Sequence, residues 1–421
     1  MFHSFIELFS SQEKLSDKWV LLLIFLFPIA GPVVRHWNSS IFVLLSLTSL
    51  YFLFVKKDRK PLLKEEKTYL WTFFLFFCVF IVSTVSNGYS WEQIQKEGLG
   101  TEIDFLLFIP IYLLIRENNS AKKVLFAGVL LSIPSIFFFS FYEYNSISYD
   151  FNIIGLTGAY SQLFLGPITA LSLLMSFYAY KEWSNTNSRW LALAPFFIFM
   201  GLFTISLSIA RIAYLTIFFG SLTIIFLQLK SLKSILVACT LVMLTTTSIY
   251  QIDSVKSRTN SALINFSRYF EKPSVVNTSV GRRLEMWKSS QYIFKEHPIV
   301  GIGNGNYPKV IQKYIEQFIV SAHVIDLGQA HNTFIEVLIS KGSLGVILLL
   351  LIFYFPVYIA WQNKKKAHLS FATISVFASA ITLMSMGESM LINKNNGVSY
   401  LLIFSAVLFS SLIQEINTTK K

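Results

Sequence analysis

Residues 190–229 read WLALAPFFIFMGLFTISLSIARIAYLTIFFGSLTIIFLQL, a continuous apolar run whose only charge is Arg211. A helix crosses the hydrocarbon of a bilayer with about 20 apolar residues, each adding about 1.5 Å of rise. The stretch is therefore two spans, and a tight turn falls at Ser208-Ile209-Ala210-Arg211. A charge at the edge of lipid is costly and by default marks function. Arg211 has two readings: it meets an anionic ligand, or it snorkels to lipid phosphates.

The same pattern fills the chain. Of its 421 residues 54% are hydrophobic and 14% charged, where a soluble domain carries about 25% charged residues. The composition predicts an all-α polytopic membrane protein of about 12 transmembrane helices. The spans lie near 19–36, 40–55, 69–86, 104–115, 124–142, 155–180, 190–209, 212–229, 234–250, 343–361, 369–386 and 397–414. The stretch 104–115 is short and contains Pro110, so it extends back toward Gly98 and leaves Glu102 and Asp104 at an interface. Cys78 and Cys239 fall inside apolar runs and are too few for a disulfide framework or a metal site. The first apolar run follows a polar stretch and lacks a small-residue cleavage pattern, so it reads as a retained anchor.

The net charge of +12 reports topology first and calls for no nucleic acid. Basic residues crowd the connections on the side of the termini, among them Lys56, Lys57, Arg59, Lys60, Lys364, Lys365 and Lys366. The short connections opposite carry only Arg35, Lys96, Arg211 and Lys394. Both termini are thus expected in the cytoplasm. The organisation expected is transmembrane helices 1–9 over residues 1–250, one large extracytoplasmic loop with its own helices over 251–342, and helices 10–12 over 343–421.

That loop holds most of the polar chemistry, and long loops in compact proteins are usually functional. Arg282 and Arg283 open a helical stretch through Trp287 and Lys288 that ends before His297-Pro298, because the residue preceding proline disfavours helix. Arg283 and Trp287 are one turn apart and share a face. Guanidinium groups match phosphate oxygens with a planar fork; a solvated basic loop is the other reading of an Arg-Arg pair. His331 sits at a helix start, where the dipole disfavours imidazolium, and can serve as a base or as a polar residue at the interface. The run Ile311, Tyr314, Ile315, Phe318, Ile319 has helical spacing and suits either a helix lying on the bilayer or one packed on the loop's own core. Gly301-Ile302-Gly303-Asn304-Gly305 does not follow a βαβ strand, and its glycines fit a tight bend better than a nucleotide loop. No Asp-x-Asp pair occurs anywhere, so a diphosphate would have to be held by arginines and not through a carboxylate-bound metal.

These pieces together resemble the O-antigen ligase and O-antigen polymerase superfamily of bacterial membrane glycosyltransferases. His331-Asn332, nine residues, and Gly342-Ser343-Leu344-Gly345 fit that family's pattern of His, then Asn, Ser or Gln, nine residues and Gly-x-x-Gly. Arg283-Leu284-Glu285-Met286-Trp287 followed by His297-Pro298-Ile299-Val300-Gly301-Ile302-Gly303 matches its loop signature. Arg211 matches its arginine after a Ser-rich span end, with Ala210 and Ile212 standing where Ser and Gly are more usual.

The resemblance implies an undecaprenyl-diphosphate-linked glycan as donor, a site on the periplasmic face of the bacterial inner membrane, and lipid A-core as acceptor for a ligase. A polymerase would instead use a second lipid-linked repeat unit. The expected chemistry is inverting, metal-independent and free of cofactors, with Arg211 and Arg283 on the diphosphate and His331 on the acceptor hydroxyl. Arg282, Trp287, Lys288 and Asn332 are the expected substrate contacts. A lipid-linked oligosaccharide flippase is the alternative from another class, although transporters place their binding groups near the midplane.

Overall fold

The computed structural model describes residues 15–55, 59–88, 99–146, 162–184, 193–271, 276–324, 330–391 and 397–418. Lys56, Lys57, Lys96 and Lys394 of the charge count, and the start of the span placed from 155, lie outside the described residues. The first helices are α1 (Leu15–Ala30), α2 (Trp37–Val55), α3 (Lys64–Ser86), α4 (Gly100–Ile115) and α5 (Ala121–Ser146). Then come α6 (Gln162–Ser184), α7 (Ala194–Ser208), α8 (Arg211–Gln228) and α9 (Leu232–Tyr250). Three polar helices follow, α10 (Asp253–Tyr269), α11 (Ser279–Glu296) and α12 (Tyr307–Glu316), before α13 (Thr333–Gln362), α14 (His368–Gly387) and α15 (Gly397–Thr418).

Each apolar stretch read from the sequence falls on one of α1–α9 or α13–α15. Eight of these, α2, α3, α5, α8, α9, α13, α14 and α15, are long and apolar enough to cross a membrane. α1 and α4 have 16 residues each, and α7 is a shorter apolar helix. The protein is a polytopic membrane protein. α15 is the most deeply buried of the eight; its Phe404 stacks on Phe377 of α14 with ring centroids 5.4 Å apart. α9 is the opposite case and buries none of its residues.

The feature that ties loop to bundle is a break in α13. Gly342 has φ +62°, outside helical space, and the carbonyls and amides around it lose their helical partners. Unpaired backbone groups are expensive inside a protein. The segment 298–303 supplies the partners: Ile302 N–H and Gly303 N–H donate to the carbonyls of Ile339 and Ser340, while Ser343 N–H and Leu344 N–H donate to those of Pro298 and Ile299. The approach is so close that a Cβ on Gly342 would stand 2.3 Å from the Ile299 carbonyl, and one on Gly301 2.4 Å from that of Ile339. From the bundle side, Asn87 at the end of α3 donates to the Gly301 carbonyl at 3.2 Å. The glycines thus serve a tight backbone crossing, as the sequence suggests, and the Gly-x-x-Gly motif begins at the break itself.

α4 starts at Gly100, and Glu102 in its first turn packs inside the protein beside the break. It is 1% exposed and accepts from Lys341 Nζ at 2.7 Å, with Lys341 fully buried. Asn304 Nδ2 also donates to Glu102, at 3.0 Å, and the lysine lies over the Phe76 ring. A partner distant in sequence makes this burial tolerable, because removing one member of a buried pair costs about 3–5 kcal/mol. A second buried pair pins the other end of α4, where Arg116 Nε meets Glu66 at 2.7 Å and Tyr112 donates to the same carboxylate.

The polar segment builds a small core of its own around Met286, Ile293, Ile311 and Tyr314. α12 therefore turns its apolar face onto that core, which decides between the two readings of 311–319. Phe318 lies past the helix end and is exposed.

Gly342→Ala should lower the thermal stability of the purified protein more than Gly88→Ala does. Both residues have positive φ, which costs an alanine roughly 1–2 kcal/mol, but a Cβ on Gly88 meets nothing within 4 Å. Thermal unfolding of the two variants checks this; equal shifts would mean that the close crossing contributes nothing.

Candidate functional site

The turn expected at 208–211 forms between α7 and α8. Ile209 caps α7 in the left-handed region (φ +52°), an uncommon conformation for a β-branched residue. The chain then reverses tightly enough that Arg211 is the first residue of α8. α11 starts at Ser279 behind Thr278, whose side chain accepts from Gly281 N–H, and ends before His297 as the sequence predicts. α13 starts at Thr333 behind Asn332, whose Oδ1 accepts from Phe334 and Ile335 N–H.

The beginnings of these three helices meet at one cavity of about 430 Å³, within the roughly 300–1,000 Å³ of small-molecule sites. Arg211 and Ser279 line it, as does His331, two residues before α13, together with Arg258, Arg282 and Arg283. Helix N-termini carry partial positive charge and unpaired N–H groups. Four guanidinium groups are added to that field. Arg211 makes no side-chain hydrogen bond or ion pair among the described residues, and it lies within electrostatic reach of Arg258 and Arg283. The Arg258 guanidinium donates to the Ile209 carbonyl at 3.5 Å, and Arg282 to Asn277 Oδ1 at 2.5 Å. Such an arrangement of cations and helix beginnings is chemically suited to an anion.

One carboxylate organises the rest. Glu388, at the end of α14, is nearly buried; its Oε2 lies 3.1 Å from Arg283 Nη2 and its Oε1 2.5 Å from His331 Nδ1. The main chain around it is tied to the start of α13. Thr333 Oγ1 donates to the Glu388 carbonyl, Asn332 N–H to Ser389 Oγ, and Asn332 Nδ2 to the Met386 carbonyl. A carboxylate accepting from Nδ1–H fixes the imidazole in one orientation and leaves Nε2 as the nitrogen with a lone pair. His331 itself has φ +49°.

The expected catalytic residues Arg211, Arg283 and His331 are therefore brought together, and Arg282 joins them. Trp287, Lys288 and Asn332 are not among the cavity's lining residues. Trp287 shares its helix face with Arg283, but its Nε1 donates to the Ala330 carbonyl at 3.2 Å and packs on the loop core. Asn332 spends both ends of its amide on backbone groups. As placed, these two hold the chain around His331 and do not face the cavity. Sequence reading missed Glu388 and Arg258. A lone carboxylate at a span end on the side of Arg211 was the available signal for the first; Arg258 is one of several charges on a polar helix, with nothing to single it out. Among the described residues no three His, Cys, Asp or Glu side chains converge as a metal site would require.

Residues 195–350 match the model of the O-antigen ligase family. The resemblance carried by the motifs stands on that match, and it points to an O-antigen ligase- or polymerase-type membrane enzyme. The matched segment contains Arg211, Arg258, Arg282, Arg283 and His331; Glu388 lies beyond it. An uncharacterized protein of Haemophilus influenzae is 24% identical over 417 residues, covering 94% of this chain and 98% of that one. The likeness to it runs through the transmembrane helices on both sides of the segment that matches the O-antigen ligase family.

Asn332→Ala should destabilise the protein by about 0.5–2 kcal/mol, the usual value of an N-cap, while Asn332→Ser, which keeps a capping oxygen, should lose less. Thermal unfolding of the two variants tests the cap. A serine variant as stable as wild type but unable to bind substrate would return Asn332 to the substrate contacts.

Proposed function

We propose that the protein is an O-antigen ligase: a membrane glycosyltransferase that moves a glycan from an undecaprenyl-diphosphate carrier to a sugar hydroxyl of lipid A-core. On this reading about twelve spans cross a bacterial inner membrane, both termini are cytoplasmic and the cavity faces the periplasm. The observation that carries it is the meeting of four guanidinium groups and three helix beginnings beside a histidine held by a carboxylate.

The chemistry follows from those groups. The acceptor oxygen attacks the anomeric carbon while the bond from that carbon to the diphosphate oxygen breaks. The electron pair leaves with the diphosphate, where negative charge builds. Fixed cations in a partly dry site stabilise developing charge strongly, and Arg211 and Arg283 are the two assigned to it. The acceptor proton passes to His331 Nε2. Glu388 fixes the tautomer that carries its proton on Nδ1 and its lone pair on Nε2, and steadies the imidazolium formed, the role a carboxylate has behind a catalytic histidine elsewhere. A single displacement inverts the anomeric centre. A polymerase would run the same chemistry with a lipid-linked repeat unit as acceptor.

Reconstitution in vesicles with lipid-linked glycan and lipid A-core decides among the readings. A new glycoside on lipid A-core is the expected product. Extension of the lipid-linked glycan would instead mean a polymerase, and movement between leaflets without a new bond a flippase.

In that assay Arg211→Ala and Arg283→Ala should each lower transfer by roughly 10²-fold or more. Lysine should restore only part of it, because an ammonium lacks the planar fork. His331→Ala should cut turnover by about 10²–10⁴-fold while donor binding persists, the loss expected when a general base is removed. A well-folded Arg211→Ala enzyme with normal turnover would overturn its assignment. Transfer should also continue in excess EDTA; loss to chelator with recovery on Mg²⁺ would reveal a carboxylate-held metal.

A further inference from the structure

α10 presents a row of large apolar side chains for which the polar segment offers no cover. Leu263, Phe266 and Phe270 are 65%, 51% and 72% exposed. At about 100° per residue these positions form one stripe. The inward side of the helix is different: Val255 is buried, Arg258 lines the cavity, and Tyr269 donates to Glu285 Oε1 at 2.7 Å. Exposed apolar area carries a cost of about 25 cal/mol per Å², so the stripe calls for an occupant.

The position of the helix says which. α9, with 19 residues, is about 28 Å long, close to the roughly 30 Å of hydrocarbon it would cross. Its last residue, Tyr250, thus ends at headgroup level, where tyrosines concentrate. α10 begins three residues later and is tied to that point by Tyr250 Oη, which donates to Asn260 Oδ1 at 2.8 Å. Lys256, two turns before Leu263 on the same side of α10, is exposed and supplies a cation for lipid phosphates. We infer that α10 lies in the plane of the membrane surface, with Leu263, Phe266 and Phe270 in the boundary between headgroups and acyl chains, and so holds Arg258 and the cavity at the depth of lipid phosphates. The spacing of apolar residues in α12 suggested this arrangement for a different helix; α12 turned inward, and α10 has the free face. The inference rests on α9 crossing the bilayer and not on the glycosyl-transfer reading.

Nitroxide labels report it directly. In full-length protein freed of native thiols (Cys78→Ala, Cys239→Ala), single cysteines at positions 261, 263, 266, 268 and 270 are labelled and reconstituted in vesicles of phosphatidylethanolamine and phosphatidylglycerol. Oxygen partitions into lipid and the nickel chelate Ni-EDDA into water. The ratio of oxygen to nickel collisions should be several-fold higher at Leu263→Cys, Phe266→Cys and Phe270→Cys than at Ser261→Cys and Arg268→Cys on the other side of the helix. A water-like ratio at all five positions would overturn the inference. So would dipolar broadening between labels at position 266, which would put a second copy of the chain on the stripe.

Discussion

Four backbone hydrogen bonds between residues 298–303 and the interrupted stretch of α13 hold the loop against the bundle. Within a membrane protein a broken helix is tolerated only where something re-satisfies its backbone. Here the loop does so, and the loop gains its anchorage by the same bonds. On one side of Gly342 lie the first turns of α13, with Asn332 as cap and His331 before it; on the other lies a long apolar helix. Lys341 at the break reaches Glu102 on α4, so the helix start that carries His331 is referenced to the N-terminal spans as well.

The cavity shows a second economy of design. Four arginines face one carboxylate, so the site keeps a net positive field for an anion while Glu388 still fixes two of its members. The same carboxylate holds Arg283 by one oxygen and His331 by the other. The group proposed to meet the leaving diphosphate and the group proposed to take the acceptor proton are thereby set at one relative position. Such preorganisation costs stability when the cavity is empty of anions, through repulsion among Arg211, Arg258 and Arg283, and returns it when charge arrives.

Local features were legible in the sequence. The turn at Ser208–Arg211 follows from the length of the apolar run, the end of α11 at His297-Pro298 from the residue before proline, and the tight bend at 301–305 from glycines that permit it. The gathering of Arg211, Arg283 and His331 was expected only through the family resemblance. What escaped was decided by tertiary contact. Glu388 is 57 residues from His331 and 105 from Arg283, and no local pattern links them. The helical spacing in α12 told that it was amphipathic but not which surface its apolar face would meet. Lys341 looked like the polar end of a loop because its partner is 239 residues away.

That last separation has a consequence in time. Glu102 is synthesised 239 residues before Lys341, so the first spans enter the bilayer with an acid that has not met its cation. Only when α13 arrives, late in translation, can the pair close, and Asn304 of the intervening loop must be in place beside it. The packing of the N-terminal half is thus completed by the C-terminal half. A chain stopped short of residue 341 would keep a carboxyl group without its lysine among its helices, a mark by which an unfinished copy differs chemically from a finished one.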